Sequence, residues 1–428
     1  MLLAVTIKPF LSHKRENAAT VGRLRDTLKL YGAGGWKDTE DLRLGDRTSQ
    51  SIRSAIFTQT GGMLWWGTRA ALSSWFINNI ELPTAFQRKN VEPDYPIVPL
   101  FIDVDPGSDA DRVAIRAALG RRGDDLLDCN GLVRRRREPA EQFRRRVARR
   151  YVRDAVNAVA ANRSHGATPV TIAIRTLSEP SGDHELTFDW RTLINPSARL
   201  LAPGATELIG DALATAREAL QAASSSPAVL LDLDLPLPLA FLTGYQWRPT
   251  TRLRLAVRQR TGVSFATIES DGPVTNPPQP TRKTFAAPGP AVLAISCRTG
   301  LGDAAERYAA EVGARELISL HVPGLLDDAA LRGLARACAD QLQQLNHHGI
   351  PKHLLVLGPS ALAVFAGAAA NATGPVTLPF WDGTHYVQPL WTSRGEVQYV
   401  DHAPGWATHV DGQLEDVPSS VEPRWRPR

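Results

Sequence analysis

The sequence predicts an α/β protein of more than one domain, and three observations carry that prediction. Up to about Val104, short apolar runs alternate with amphipathic stretches, the pattern of a parallel sheet covered by helices. Within it, VPLFIDV from Val98 to Val104 is almost continuously apolar, as a strand buried on both faces must be. The second half repeats itself: PVTIAIRT from Pro169 aligns with PAVLAISCRT from Pro290, and PLPLAFLTG from Pro236 with PSALAVFAG from Pro359, at offsets of 121 and 123 residues. At 428 residues the chain exceeds what one core serves, and about 150 residues per domain gives two or three.

Composition narrows the class. A hydrophobic fraction of 43% with 22% charged residues excludes a disordered or fibrous chain. The formal charge is +5, and 42 of the 49 basic residues are Arg, a bias assigned to base composition rather than to nucleic-acid binding. Cys129, Cys297 and Cys338 are too few and too scattered for a disulfide framework or a zinc site, which points to the reducing cytoplasm and to no metal. The start MLLAVTIKPFLSHKR has no basic leader, and Lys8 breaks its apolar run, so a first core strand is expected there rather than a signal peptide. The stretch LLVLGPSALAVFAGAAA, Leu354 to Ala370, falls short of a membrane span. With Gly358, Pro359 and Ser360 in its middle, it reads as strand, turn and buried helix.

In chain order, the first element is a strand ending at Ser12, followed by a charged turn and a helix on which Val21, Leu24 and Leu28 recur at helical spacing. A short strand at Gly35 and Trp36 comes next, then an acidic loop from Thr39 to Arg47, a helical segment, a strand, and a helix carrying Ser74, Trp75 and Glu81. Phe10, Ser12, Lys14, Trp36 and Asp38 flank the carboxyl ends of the first two strands, where open α/β sheets bind ligands. Pro83, tolerated in a first helical turn, places the start of its helix late, with Glu81 near its positive end. From Asp109 to Asn162 the chain is mostly helical and dense in Arg; Glu138, Glu141 and Asp154 nearby fit a solvated, ion-paired face.

Each copy of the repeat reads as strand (VTIAI, VLAIS), helix, second strand (VLLDLDL, HLLVLG) and a helix opened by Pro. Both units are Rossmann-like in order, yet neither carries GxGxxG or a Walker motif, so ordinary dinucleotide and NTP binding are unsupported.

FLSHKR, WKDTEDLRLG and SSWFINNIELPTA, in that order and spacing, resemble a TIR domain, a flavodoxin-like fold whose enzymatic members cleave the nicotinamide–ribose bond of NAD. The resemblance implies Glu81 as the catalytic residue and Phe10, Ser12, Lys14, Trp36 and Asp38 as substrate contacts, with Phe10 or Trp36 stacking on nicotinamide and Lys14 meeting a phosphate. It also implies that the acidic loop completes the site of a neighbouring molecule. One departure leaves two alternatives. In the family the Glu follows the helix Trp by four residues, a place held here by Asn79, whereas Glu81 comes six after Trp75. In a regular helix those two directions differ by about 200°, so only one of Asn79 and Glu81 faces the cleft.

The duplicated half resembles a SAVED domain, two fused CARF-like units that sense cyclic oligonucleotides, over roughly Thr168 to His409, through AISCRTGLG, HLLVLGPSALAVFAGAAAN and HYVQPLW. The whole chain is then similar to a TIR–SAVED effector of CBASS-type bacterial antiphage immunity, with a TIR domain at 1–108, an Arg-rich extension at 109–162 and a sensor at 163–428, in units 163–289 and 290–410. That resemblance implies a cyclic oligoadenylate, a trinucleotide, as ligand, NAD as substrate with no cofactor, and open head-to-tail self-association. Ser296, Arg298 and Thr299 would meet ligand phosphate, with Gly300 and Gly302 freeing backbone amides, and Trp381, Tyr386 or Trp391 would stack on adenine. Two readings from other classes remain beside it: a non-enzymatic TIR scaffold, and nucleic-acid binding through the Arg-rich helix.

Overall fold

The computed structural model describes residues 7–37, 48–161, 168–179, 184–195, 200–202, 204–224, 227–258, 264–266, 278–298, 301–324, 327–382, 384–393 and 396–399. The expected Asp38, Thr299 and acidic loop lie outside these residues, and Trp391 falls in a strand where only the backbone is described.

The first sheet holds β1 (Pro9–Ser12), β2 (Gly62–Gly67), β3 (Ile97–Phe101) and β4 (Leu132–Val133), all parallel and in that order. Trp36 bridges Phe10 in parallel on the outer side of β1, so the short strand expected at Gly35 and Trp36 is a single bridge. Counting that bridge as the second strand in sequence, the order is 2-1-3-4-5, the flavodoxin-like order, with its switch point between β1 and β2. Because β4 pairs with β3 at Leu100↔Leu132, the sheet takes in residues beyond 108.

Alternation assigns the two faces. Leu11, Leu64, Trp66, Val98 and Leu100 pack under α1 (Ala18–Leu30). Phe10, Met63, Trp65, Ile97 and Phe101 face the other way, toward a second cluster. This opposite face is covered by α2 (Thr48–Thr58), α3 (Arg69–Leu72), α4 (Leu82–Val91), α5 (Asp109–Leu119) and α6 (Arg121–Asp128), with Ile52, Leu72, Leu82, Ile115 and Leu126 in its core.

The Arg-rich helix α7 (Ala140–Ala161) is not a solvated rod. Its Phe143, Val147, Tyr151, Val152 and Ala155 complete the α1 side of the first core and continue it into the duplicated half. Its arginines pair within the helix or just before it (Arg145–Glu141, Arg146–Glu138, Arg150–Asp154) and across to α8 (Ala205–Ala223), where Arg145 meets Glu207, Arg149 meets Asp211 and Arg153 meets Glu218. Partly exposed pairs of this kind contribute little each, at most about 1 kcal/mol; the apolar stripe holds the helix and the pairs set its register.

In the duplicated half, the first sheet runs β11 (Ser264–Ala266), β10 (Arg254–Arg258), β9 (Ala228–Asp234), β5 (Val170–Arg175), β6 (Leu186–Asp189), and β7 (Ile194–Asn195) pairs with β8 (Leu200–Leu201) in a separate two-stranded sheet. The second sheet runs β12 (Thr281–Thr284), β14 (Glu316–His321), β13 (Ala291–Ser296), β15 (Lys352–Leu357), β16 (Val376–Trp381), β17 (Tyr386–Ser393), β18 (Glu396–Tyr399). The repeated segments occupy equivalent places: β5 and β13 are inner strands, β9 and β15 pair parallel with them, and the Pro-initiated helices come next. Those are α9 (Leu237–Gln246) and, after α10 (Leu301–Glu311) and α11 (Asp328–His347), α12 (Ser360–Ala369). α9 and α12 pack on each other along the seam between the units. The Leu354–Ala370 stretch is thus strand, turn and buried helix, and no described helix is long and apolar enough to cross a membrane.

Candidate functional site

Ser12 ends β1, and its side chain lies on the same face as Phe10, the face that meets α4. There its Oγ donates to Glu81 Oε2 at 2.6 Å, both residues being buried. The segment carrying Glu81 is helical from Trp75, so the late start expected from Pro83 does not occur. The extra spacing is absorbed by a π turn, Ile77–Glu81, closed by Leu82 N–H donating to Ile77 C=O. A π turn holds one residue more than an α turn and so rotates the residues after it by about 100° around the helix axis. Asn79 consequently faces solvent with its Nδ2 on Trp75 C=O, Trp75 is 67% exposed, and Glu81 is 5% exposed against the sheet. Of the two alternatives, Glu81 is the one turned toward β1.

The expected aromatic contacts are placed otherwise. Phe10 and Trp36 stack on each other, centroids 4.9 Å apart, and are 1% and 3% exposed within the second core. Phe10 lies two residues inside the carboxyl end of β1, about 7 Å deeper than Ser12, where Ile77 and Ile80 of the π turn share its core. Neither ring is open to a ligand. Lys14 is half-buried where the chain leaves β1 for the turn at Arg15–Asn17. Two residues at this edge are not singled out by the sequence pattern. His13 is buried with Nδ1 at 2.8 Å from Leu11 C=O, and Lys37 is buried with its Nζ beside Gly22 of α1. Their only signal is adjacency to Ser12 and Trp36.

In the duplicated half, a cavity of about 280 Å³ opens between the two units. Leu177, Leu235 and Pro236 reach it from beyond the carboxyl ends of β5 and β9, and Val356, Leu357 and Trp381 from the ends of β15 and β16. Tyr386 closes one wall, its ring edge-on to Trp381 (5.0 Å) and to Tyr308 (5.6 Å); burial pushes its hydroxyl up to about 12, so it stays protonated at neutral pH. Tyr308 hydrogen-bonds His353 Nδ1 at 2.7 Å, and burial pushes that imidazole down to about 4. Ser296 is buried with Oγ at 2.8 Å from His321 Nδ1, and Arg298 is exposed just beyond β13; neither lines the cavity. At the position equivalent to Ser296, the first unit has Arg175, buried and paired with Asp232, which also meets His184; the Arg175 guanidinium lowers the Asp232 carboxyl against the upward push of burial.

Comparison with known proteins agrees with both halves. Residues 10–128 match the TIR domain model, and residues 211–386 match the model described as the SMODS-associated and fused to various effectors sensor domain, SAVED. No curated protein sequence matches. Solved structures similar to the chain include an Acinetobacter baumannii Cap4 SAVED/CARF-domain containing receptor with the cyclic trinucleotide 2'3'3'-cAAA, at 14% identity and a TM-score of 0.46, covering 82% of this chain and 85% of that one. A Moraxella osloensis Cap4 receptor is similar at 12% identity and a TM-score of 0.40, covering 89% and 86%. With Glu81 turned onto the first sheet and an apolar cavity between two repeated units, this chain joins an N-terminal TIR domain to a C-terminal SAVED sensor domain.

Proposed function

We propose that the chain is a ligand-gated NAD-cleaving immune effector: a cyclic oligoadenylate bound by the SAVED half drives head-to-tail assembly, and the assembled TIR domains break the nicotinamide–ribose bond at Glu81. The observation that carries the reading is the buried Ser12–Glu81 pair at the carboxyl edge of β1, beside the switch point where open α/β sheets take ligands.

One carboxylate suffices for this chemistry. Nicotinamide leaves as a neutral molecule because its ring nitrogen already carries the positive charge, so no second carboxyl is needed to protonate the leaving group, as O-glycosides require. Glu81 would stabilise the oxocarbenium-like charge on the ribose, an electrostatic role that gains strength where water is excluded. Its 5% exposure fits a chain that is dormant alone and opens its cleft on assembly. An open head-to-tail interface extends into a filament, and ligand favours that state only by binding it better.

The cavity sits at the lower edge of small-molecule pockets, about 300 Å³, so it suits one or two bases while the phosphodiester ring stays at its mouth. Trp381 and Tyr386 offer the stacking surface. The nucleic-acid reading loses support because Arg145, Arg146, Arg149, Arg150 and Arg153 all have carboxylate partners.

The test is nicotinamide release by the full chain across a panel of cyclic di-, tri- and tetranucleotides, with light scattering recorded in parallel. Release only with a cyclic oligoadenylate, rising more steeply than first order in protein concentration, is the expected result. Trp381→Ala should weaken that ligand by roughly 5- to 150-fold, the range of one base–aromatic stack. Assembly without nicotinamide release would leave a non-enzymatic scaffold instead.

A further inference from the structure

We infer that Ser12 is a positioning residue for the reacting carboxylate and not a contact for the substrate; this rests on the reading of Glu81 as the group that cleaves NAD. Ser12 is 1% exposed and Glu81 5%, and the Ser12 hydroxyl is turned onto the carboxylate, so a cleft that opens to admit NAD meets this hydroxyl already engaged. That hydroxyl has a single proton, and at 2.6 Å the geometry directs it to Glu81 Oε2, within the short range of charge-assisted O–H···O⁻ bonds.

The two partners are anchored independently. Ser12 sits in register with Trp65 on β2, in a strand whose four residues are all buried. The π turn is held by Leu82 N–H on Ile77 C=O, by Asn78 Nδ2 on Leu72 C=O at 2.7 Å, and by Arg122 Nη1 on Asn78 C=O at 3.1 Å. The Ser12–Glu81 bond therefore ties the carboxylate of a helical segment to the rigid sheet. It orients the carboxylate before substrate arrives, which is the condition for electrostatic stabilisation without reorganisation during the reaction.

The experiment compares NAD cleavage by the full chain and by Ser12→Ala, Ser12→Cys and Glu81→Gln, each activated by 3'3'3'-linked cyclic triadenylate, with kcat and KM measured separately. Loss of a hydrogen bond to a charged group should lower kcat of Ser12→Ala by roughly 10- to 100-fold with KM for NAD within about twofold. Ser12→Cys, close in volume with a weaker donor, should fall between, and it carries the test if the alanine variant does not fold. A raised KM with kcat intact would make Ser12 a substrate contact and overturn the inference, as would wild-type kinetics in both variants. Higher ligand-free activity in Ser12→Ala would make the bond a dormancy latch, which also overturns it. Robust cleavage by Glu81→Gln, or none by the wild type, would remove the underlying reading and the inference together, and either is distinguishable from a Ser12-specific failure.

Discussion

Gly244 and Gly367 hold reciprocal positions on the seam between the sensor units: a Cβ on Gly244 would overlap the carbonyl oxygen of Val364, and one on Gly367 would overlap that of Phe241. These are equivalent residues of the repeated motif, the last Gly of PLPLAFLTG and of PSALAVFAG. The duplicated helices thus meet about a local two-fold axis, backbone against backbone.

Gly244→Ala should therefore force α9 and α12 apart. Overpacking of a close-packed contact costs about 1–3 kcal/mol, and here the obstacle is backbone that cannot swing aside. A lowered melting temperature is expected, with a similar loss in Gly367→Ala. An unchanged melt in both would show that the seam is looser than its geometry indicates.

Glu81→Gln should reduce ligand-stimulated NAD cleavage by about 10²–10³-fold, the effect of removing a fixed electrostatic stabiliser, while ligand binding measured calorimetrically stays intact. Asn79→Ala should leave cleavage within about twofold, since Asn79 is exposed and, among the described residues, its side chain bonds Trp75 C=O. The opposite ranking would return the role to the regular family spacing.

Gly32→Ala should disturb the joint between the TIR half and the sensor. Gly32 has φ +89°, its C=O accepts Thr187 N–H at 2.8 Å beside β6, and a Cβ there would press on the Phe188 ring at 3.1 Å. Trp190 Nε1 donates to Leu30 C=O at 2.9 Å, and the Tyr31 hydroxyl bonds Asp211, which also pairs with Arg149. The variant should bind ligand normally yet release less nicotinamide per bound ligand. Full wild-type stimulation would show that the joint does not transmit activation.

His353 makes stability depend on pH. Burial holds its folded value down to about 4, against an ordinary value of about 6.5 in the unfolded chain. Between those values the unfolded chain binds a proton that the folded chain does not, so stability is complete above about pH 6.5 and falls as pH drops toward 4. The loss amounts to at most roughly 3 kcal/mol. His353→Gln, which keeps an acceptor for Tyr308 but does not titrate, should flatten the melting-temperature profile between pH 7 and 4. Parallel profiles for the two proteins would place the acid sensitivity elsewhere.

Periodicity by itself determined the α/β class and the strand-and-helix alternation of the first hundred residues, because burial on two faces writes itself into local apolar spacing, and the two matched segments at offsets of 121 and 123 residues determined the duplication of the sensor. The Leu354–Ala370 stretch was legible as strand, turn and helix for the same reason: Gly358 and Pro359 act on their own backbone. Contacts across the chain had no such local trace. Phe10 and Ser12 share a strand face, and only the depth of each beneath the π turn separates a core ring from a residue that touches Glu81. The π turn itself was hidden, since INNIE differs from an α-helical run only in which carbonyl each amide reaches, a choice made by packing on the sheet. Likewise the arginines of α7 had legible partners close in sequence, Glu138, Glu141 and Asp154, whereas Glu207, Asp211 and Glu218 came beside them only on folding. Local sequence sets which residues can be buried; which partner each one meets depends on chain segments dozens of residues away, and that was decided only in the folded structure.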